Sequence, residues 1–134
     1  MHNIKGQISL DALLAFIALM LLLQFFLSIA ANFASLNEEN YILAQLKENA
    51  LLVKDAINAC KIAKFSNKNA SINIVIPKID SLGKNIEGCK IEISQNKIFI
   101  NAKTEERDFN YSLELPEYNG NINLKCGEVL SVEC

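Results

Sequence analysis

The stretch Ala12–Ala31, ALLAFIALMLLLQFFLSIAA, holds twenty residues without one ionisable side chain. Wound as an α-helix at about 1.5 Å per residue it spans roughly 30 Å, the thickness of a bilayer's hydrocarbon core. Only Gln24 and Ser28 bring polar side-chain atoms into it. A secretory signal peptide has a shorter apolar core with its small-residue cleavage site behind it. Here the leader-like site, Lys5-Gly6, stands in front of the apolar run. The segment therefore reads as a helix that stays with the protein and crosses a membrane. Hydropathy alone describes an uncleaved single-pass anchor, with Lys5 favouring a cytoplasmic N-terminus by the positive-inside tendency.

The residues just before it say more. Lys5–Asp11 reads KGQISLD: a basic residue, a small residue, then Gln7, Ser9 and Asp11 at alternate positions, followed at once by Leu13, Leu14 and Phe16 of the apolar run. This order resembles the class III signal peptides of archaeal type IV pilin-like proteins, in which a short basic leader ends in Lys-Gly before Gln-x-Ser-x-Glu and a long apolar helix. The resemblance covers about 30 residues and departs at one position. Asp11 stands where the family has Glu, which keeps the carboxylate and shortens its reach by one methylene.

The resemblance implies that a membrane aspartyl prepilin peptidase cuts between Gly6 and Gln7 on the cytoplasmic side, leaving the apolar helix on the mature chain. The cut would create an α-ammonium at Gln7, one helical turn from Asp11. An ionised carboxylate near hydrocarbon is costly unless paired, whereas a helix N-terminus supplies partial positive charge and the ammonium a full one. The resemblance further implies that this acid meets the N-terminal amine of a neighbouring subunit as helices stack into a filament. The simpler reading of Asp11 is a solvent-exposed first-turn residue that favours its own helix dipole.

On the other side of the apolar run, Leu43, Leu46, Ala50, Val53, Ile57 and Cys60 recur at steps of three and four, one apolar stripe on a helix. Glu38, Glu39, Lys47, Glu48, Lys54 and Asp55 belong on its wet face. No Pro or Gly interrupts the run from Gln7 to about Phe65, although Ser35, Asn37 and Asn40 soften it near the membrane exit. One long helix follows, and the stripe of its second half needs a partner.

The partner is a sheet. Ile72, Ile74 and Ile76 alternate in SINIVIP, as do Cys89, Ile91 and Ile93 in CKIEIS; KIFINA follows the turn-like Gln95-Asn96. Phe109, Tyr111, Leu113 and Leu115 alternate in FNYSLEL, which Pro116 closes. Asn119-Gly120 is a strong turn signal, and short strands over about 121–126 and 129–133 flank Gly127. The expected fold is α+β: a long N-terminal membrane-spanning helix, a pilin-like stalk by resemblance, packed against a small, mainly antiparallel β-sheet head. Its segments are a leader over 1–6, a transmembrane and assembly helix over 7–36, an amphipathic continuation over 37–66 and a β-rich extracellular head over 67–134.

All four cysteines, Cys60, Cys89, Cys126 and Cys134, fall outside the apolar segment. An even count in a small exported domain predicts two disulfides. Three pairings are open. Cys60 with Cys89 and Cys126 with Cys134 is the favoured one, although a tight hairpin at Gly127 would set the last two at offset positions. Zinc is the competing use of four thiols, but no Cys-x-x-Cys pair is present. Asn-x-Ser sequons stand at Asn69, in the polar turn FSNKNAS, and at Asn110, on the outward parity of a strand. Asn69 is the better candidate for glycosylation.

Charge and residue inventory exclude several function classes. The chain has 13 basic and 15 acidic residues, and loss of Lys5 with the leader takes the net charge from −2 to −3, so no basic surface for nucleic acid is expected. The single histidine, His2, lies in the leader, and the five glycines form neither a phosphate loop nor a dinucleotide fingerprint. Glu105-Glu106 beside Arg107 reads as solvated surface. No enzyme, cofactor, metal or small-molecule substrate is expected. The resemblance implies a surface-filament subunit for adhesion or a related role, with the prepilin peptidase, other pilin subunits and the membrane as its partners. The alternatives are an uncleaved anchored protein with a binding head, and a minor or pseudopilin component of a filament-like machine.

Overall fold

The computed structural model describes residues 4–66, 69–81, 84–86, 88–115 and 117–134; the side chains of 4–8, 84 and 85 lie outside that description. Pro116, proposed as a strand stop, therefore lies outside the described residues. Among the described residues the elements are one helix, α1 (Ile4–Phe65), and eight strands: β1 (Ser71–Val75), β2 (Asp80–Ser81), β3 (Lys84–Asn85), β4 (Cys89–Ser94), β5 (Lys97–Lys103), β6 (Asp108–Glu114), β7 (Ile122–Lys125) and β8 (Val129–Glu133). By its contacts the chain divides into two units, Met1–Asn37 and Glu38–Cys134.

Helix α1 begins three residues before the expected Gln7 and ends at the expected Phe65. Leu, Ala and Met dominate it, and Gly6 is its only glycine, so helix propensity is high along its length. Ser35, Asn37 and Asn40 do not interrupt it. At its end the Ser66 amide donates to Ile62 and Ala63 carbonyls at 3.3 and 3.1 Å, and Lys64 lies in the last turn where the helix dipole favours a cation.

In the second unit α1 buries Ile42, Leu46, Ala50, Val53, Ile57 and Cys60. Ile42 joins the stripe at its first turn beside Leu43, which is half-buried and packed against the same core. The cause is the 3.6-residue period: Ile42 lies four before Leu46, and both residues 42 and 43 satisfy a three-or-four rule. Against this stripe stands a four-stranded antiparallel sheet, order β6-β5-β4-β7, and a separate antiparallel pair, β1-β8. Ile91, Ile93, Ile98, Ile100 and Ala102 from the larger sheet join Leu130 and Val132 from the smaller in one buried core with the helix residues. The period-2 parity read from the sequence holds: β4 alternates buried and exposed from Cys89, and β5 from Ile98.

The hairpin between β4 and β5 turns at Gln95 and Asn96, whose φ values of 48° and 63° are those of a two-residue turn suited to strand twist. Asn96 then holds the chain leaving β6: its carbonyl accepts from the Leu115 amide at 2.6 Å and its Oδ1 from the Tyr118 amide at 2.8 Å. A Cβ at Gly120 would meet the Tyr118 ring, so a larger residue there needs the tyrosine to shift. The chain from there crosses to the far edge of the sheet, so β7 pairs with β4. Strand β8 leaves that sheet altogether and pairs with β1. Between them Gly127 adopts φ of 92°, the left-handed region where a side chain is strained.

Candidate functional site: the apolar segment of α1, its acidic mouth and the disulfides

Every described side chain from 9 to 37 is exposed. Phe26 is 66% exposed and Leu19 64%, values that in water would leave large apolar area wet along the whole segment. By length and composition this part of α1 is able to cross a membrane. Apart from Gln24 and Ser28, one turn apart, the side chains between Ala12 and Ala31 are apolar all round the helix, and none is ionisable.

Ser9 and Asp11 both lie on α1 and are exposed. Lys5, Gly6 and Gln7 fall within the helix, and their side chains lie outside the described ones. With the helix starting at Ile4, its first turn contains no acidic residue. Asp11 is thus not a first-turn residue of the uncut chain, which corrects the simpler reading of it. The dipole's influence fades within the first turn. Removing residues 1–6 would make Gln7 the start and bring Asp11 to within one turn of the end.

The disulfides join Cys60 to Cys134 and Cys89 to Cys126, and no cysteine is left free. All four residues are paired as a set, but the favoured connectivity is overturned. A hairpin at Gly127 would already have set Cys126 and Cys134 at offset positions, and the strands on either side of Gly127 do not pair with each other at all. Instead β7 lies on β4 with Lys90 opposite Lys125, and the Cys126 amide donates to the Cys89 carbonyl at 3.1 Å, so these two cysteines are the next cross-strand pair. Strand β8 runs along β1, and the Cys134 amide donates to the Ala70 carbonyl at 3.0 Å, just past the end of α1 where Cys60 sits. With every thiol used in this way none remains to ligate zinc.

Both sequon asparagines are exposed. Asn69 lies between α1 and β1 outside regular structure, and Asn110 points outward on β6, where its Oδ1 accepts from Asn101 Nδ2.

A polar strap was not foreseen. Gln45 on α1 grips residue Asp80 by two bonds: Nε2 donates to the Asp80 carbonyl at 2.7 Å, and Oε1 accepts from the Asp80 amide at 2.9 Å. Asn49, 4% exposed, donates from Nδ2 to the Pro77 carbonyl at 3.1 Å, and Ser81 Oγ donates to Glu38 Oε1 at 3.0 Å. Glu39 pairs with Arg107 at 3.4 Å, so Glu38 and Glu39, read as wet-face residues, both have partners. The signal in the sequence was Asn49 itself, a polar residue beside Ala50 on the buried stripe. Gln45, Asn49, Leu52, Pro77 and Lys78 also line a depression of about 160 Å³, smaller than the roughly 300–1,000 Å³ of common small-molecule sites.

Comparison with protein-family models, with curated proteins and with solved structures finds no match.

Proposed function

We propose that this chain is a type IV pilin-like structural subunit, made as a precursor, cut by a prepilin peptidase after Gly6 and assembled into a surface filament through the apolar segment of α1. The observation that carries the reading is the joint occurrence of KGQISLD and a segment whose side chains are exposed on every face. A lone anchor needs the segment but has no use for the ordered Gln7, Ser9 and Asp11. In the membrane, lipid covers the apolar surface; in a filament, neighbouring helices do, so one segment serves as anchor and as core. The head, with its disulfides, would stand outside the cell and the N-terminus inside until extraction.

The test is the N-terminal residue of protein isolated from its native membrane or filament, read by intact-mass and peptide mass spectrometry. A start at Gln7 is expected. A start at Met1 or His2, in cells with an active prepilin peptidase, overturns the reading and leaves an uncleaved anchored protein.

A further inference from the structure

Numbered along the chain, the first cysteine pairs with the fourth and the second with the third. In an unfolded chain the shortest loop, Cys126 to Cys134, closes most readily, and together with Cys60–Cys89 it is favoured over the observed pairing by about tenfold from loop-closure statistics. Loop statistics therefore oppose the observed connectivity. What supports it is the folded backbone: the β4–β7 ladder brings Cys126 opposite Cys89, and the β1–β8 ladder carries Cys134 to the end of α1.

The burial of the four residues adds a second, independent asymmetry. Cys60 is 5% exposed and Cys89 8%, whereas Cys126 and Cys134 are only partly buried. Each disulfide thus joins one buried cysteine to one that is only partly buried.

We infer that the head folds with its thiols reduced and is then oxidised by thiol–disulfide exchange that enters at Cys126 and Cys134, with Cys89 and Cys60 as the resolving residues. The Cys126 thiolate attacks a disulfide donor, forming a mixed disulfide and releasing one donor thiolate. The Cys89 thiolate then attacks the Cys126 sulfur, closing Cys89–Cys126 and releasing the second donor thiolate. Two protein thiols are oxidised, one donor disulfide is reduced to two thiols, and the two protons lost by the protein thiols are taken up, by way of solvent, by the two donor thiolates. Cys134 and Cys60 repeat the sequence. The donor is an extracytoplasmic disulfide, protein or small molecule, and an isomerase is not needed. The inference rests on the reading of the head as exported to an oxidising side.

The test uses the full chain in detergent micelles, reduced, checked for folding by circular dichroism, then oxidised with glutathione disulfide and mapped by peptide mass spectrometry after acid quenching. The folded chain should give Cys60–Cys134 and Cys89–Cys126, and the same reagent in guanidinium should give mainly Cys126–Cys134. Glutathione should accumulate on Cys126 in Cys89→Ser and on Cys134 in Cys60→Ser, at least tenfold above its level on Cys89 in Cys126→Ser or on Cys60 in Cys134→Ser. Equal adducts on the buried and the partly buried cysteines, mispaired products from the folded chain, or a reduced chain without structure would each overturn it. None of these outcomes depends on where the N-terminus lies, so failure here and failure of the filament reading are separable.

Discussion

Asp11 is a charge placed next to twenty residues that carry none, and its value depends on what faces it. On a helix that starts at Ile4 it is two turns from the end and gains little from the dipole; on one that starts at Gln7 it has an ammonium within a turn. Asp11→Ala should leave expression and membrane insertion unchanged while lowering filament yield at least tenfold, and Asp11→Glu should restore assembly; filaments counted by electron microscopy decide it, and normal filaments from the alanine variant would remove the role. Asn49 makes a different residue-scale case. Its side chain is nearly enclosed and holds the Pro77 carbonyl, so Asn49→Ala should cost about 1–1.5 kcal/mol through loss of that bond. Gln45 makes two bonds to Asp80 at the solvent edge, where water replaces them, and Gln45→Ala should cost under about 1 kcal/mol. Urea midpoints in detergent separate the two, and equal losses would mean that the strap acts as one unit.

Within α1 the second half is held by one stripe, and the two isoleucines near its end test that. Ile57 is 1% exposed and Ile62 66%. Ile57→Ala should destabilise the head by about 2–5 kcal/mol, through lost burial and the cavity left behind, and Ile62→Ala by no more than about 0.5 kcal/mol; comparable losses in denaturant titrations would mean that the outer face of the helix is also covered. The same periodicity explains how far the elements could be read in advance. Strand parity at Cys89, Ile91, Ile93 and at Phe109 to Leu115 was legible because burial on one face imposes a period of two. Helix length was legible because nothing breaks it before Phe65. What periodicity does not encode is which strand lies beside which: that β7 joins β4 and β8 joins β1 is written in no single strand's pattern. The disulfide connectivity was out of reach for the same reason, since cysteine positions follow strand partners. The two-residue strands β2 and β3 were missed because a pair so short has no period to detect. At the candidate site, the order of Lys5, Gly6, Gln7, Ser9 and Asp11 was plain in the sequence, but the place of Asp11 depends on where the helix starts, which composition does not specify.

At the scale of the molecule, the core of the second unit draws, among the described residues, on none before Ile42, so a fragment starting at Glu38 should be soluble without detergent, monomeric by size-exclusion chromatography and cooperative in unfolding. An aggregated or unfolded fragment would show that the apolar segment contributes to the head's stability. The two disulfides should not contribute equally to that fragment. Cys60–Cys134 closes a separation of 74 residues and Cys89–Cys126 one of 37. In the chain-entropy account each is worth about 4 kcal/mol, and a twofold difference in loop length adds about 0.6 kcal/mol to the longer. The longer bridge also ties the end of α1 to β8, the strand that pairs only with β1. Replacing Cys60 and Cys134 together by serine should therefore lower the denaturation free energy more than replacing Cys89 and Cys126, whose strands stay hydrogen-bonded in a four-stranded sheet. The reverse order would locate the effect of the bridges in native packing around Cys89 instead of in the freedom of the unfolded chain.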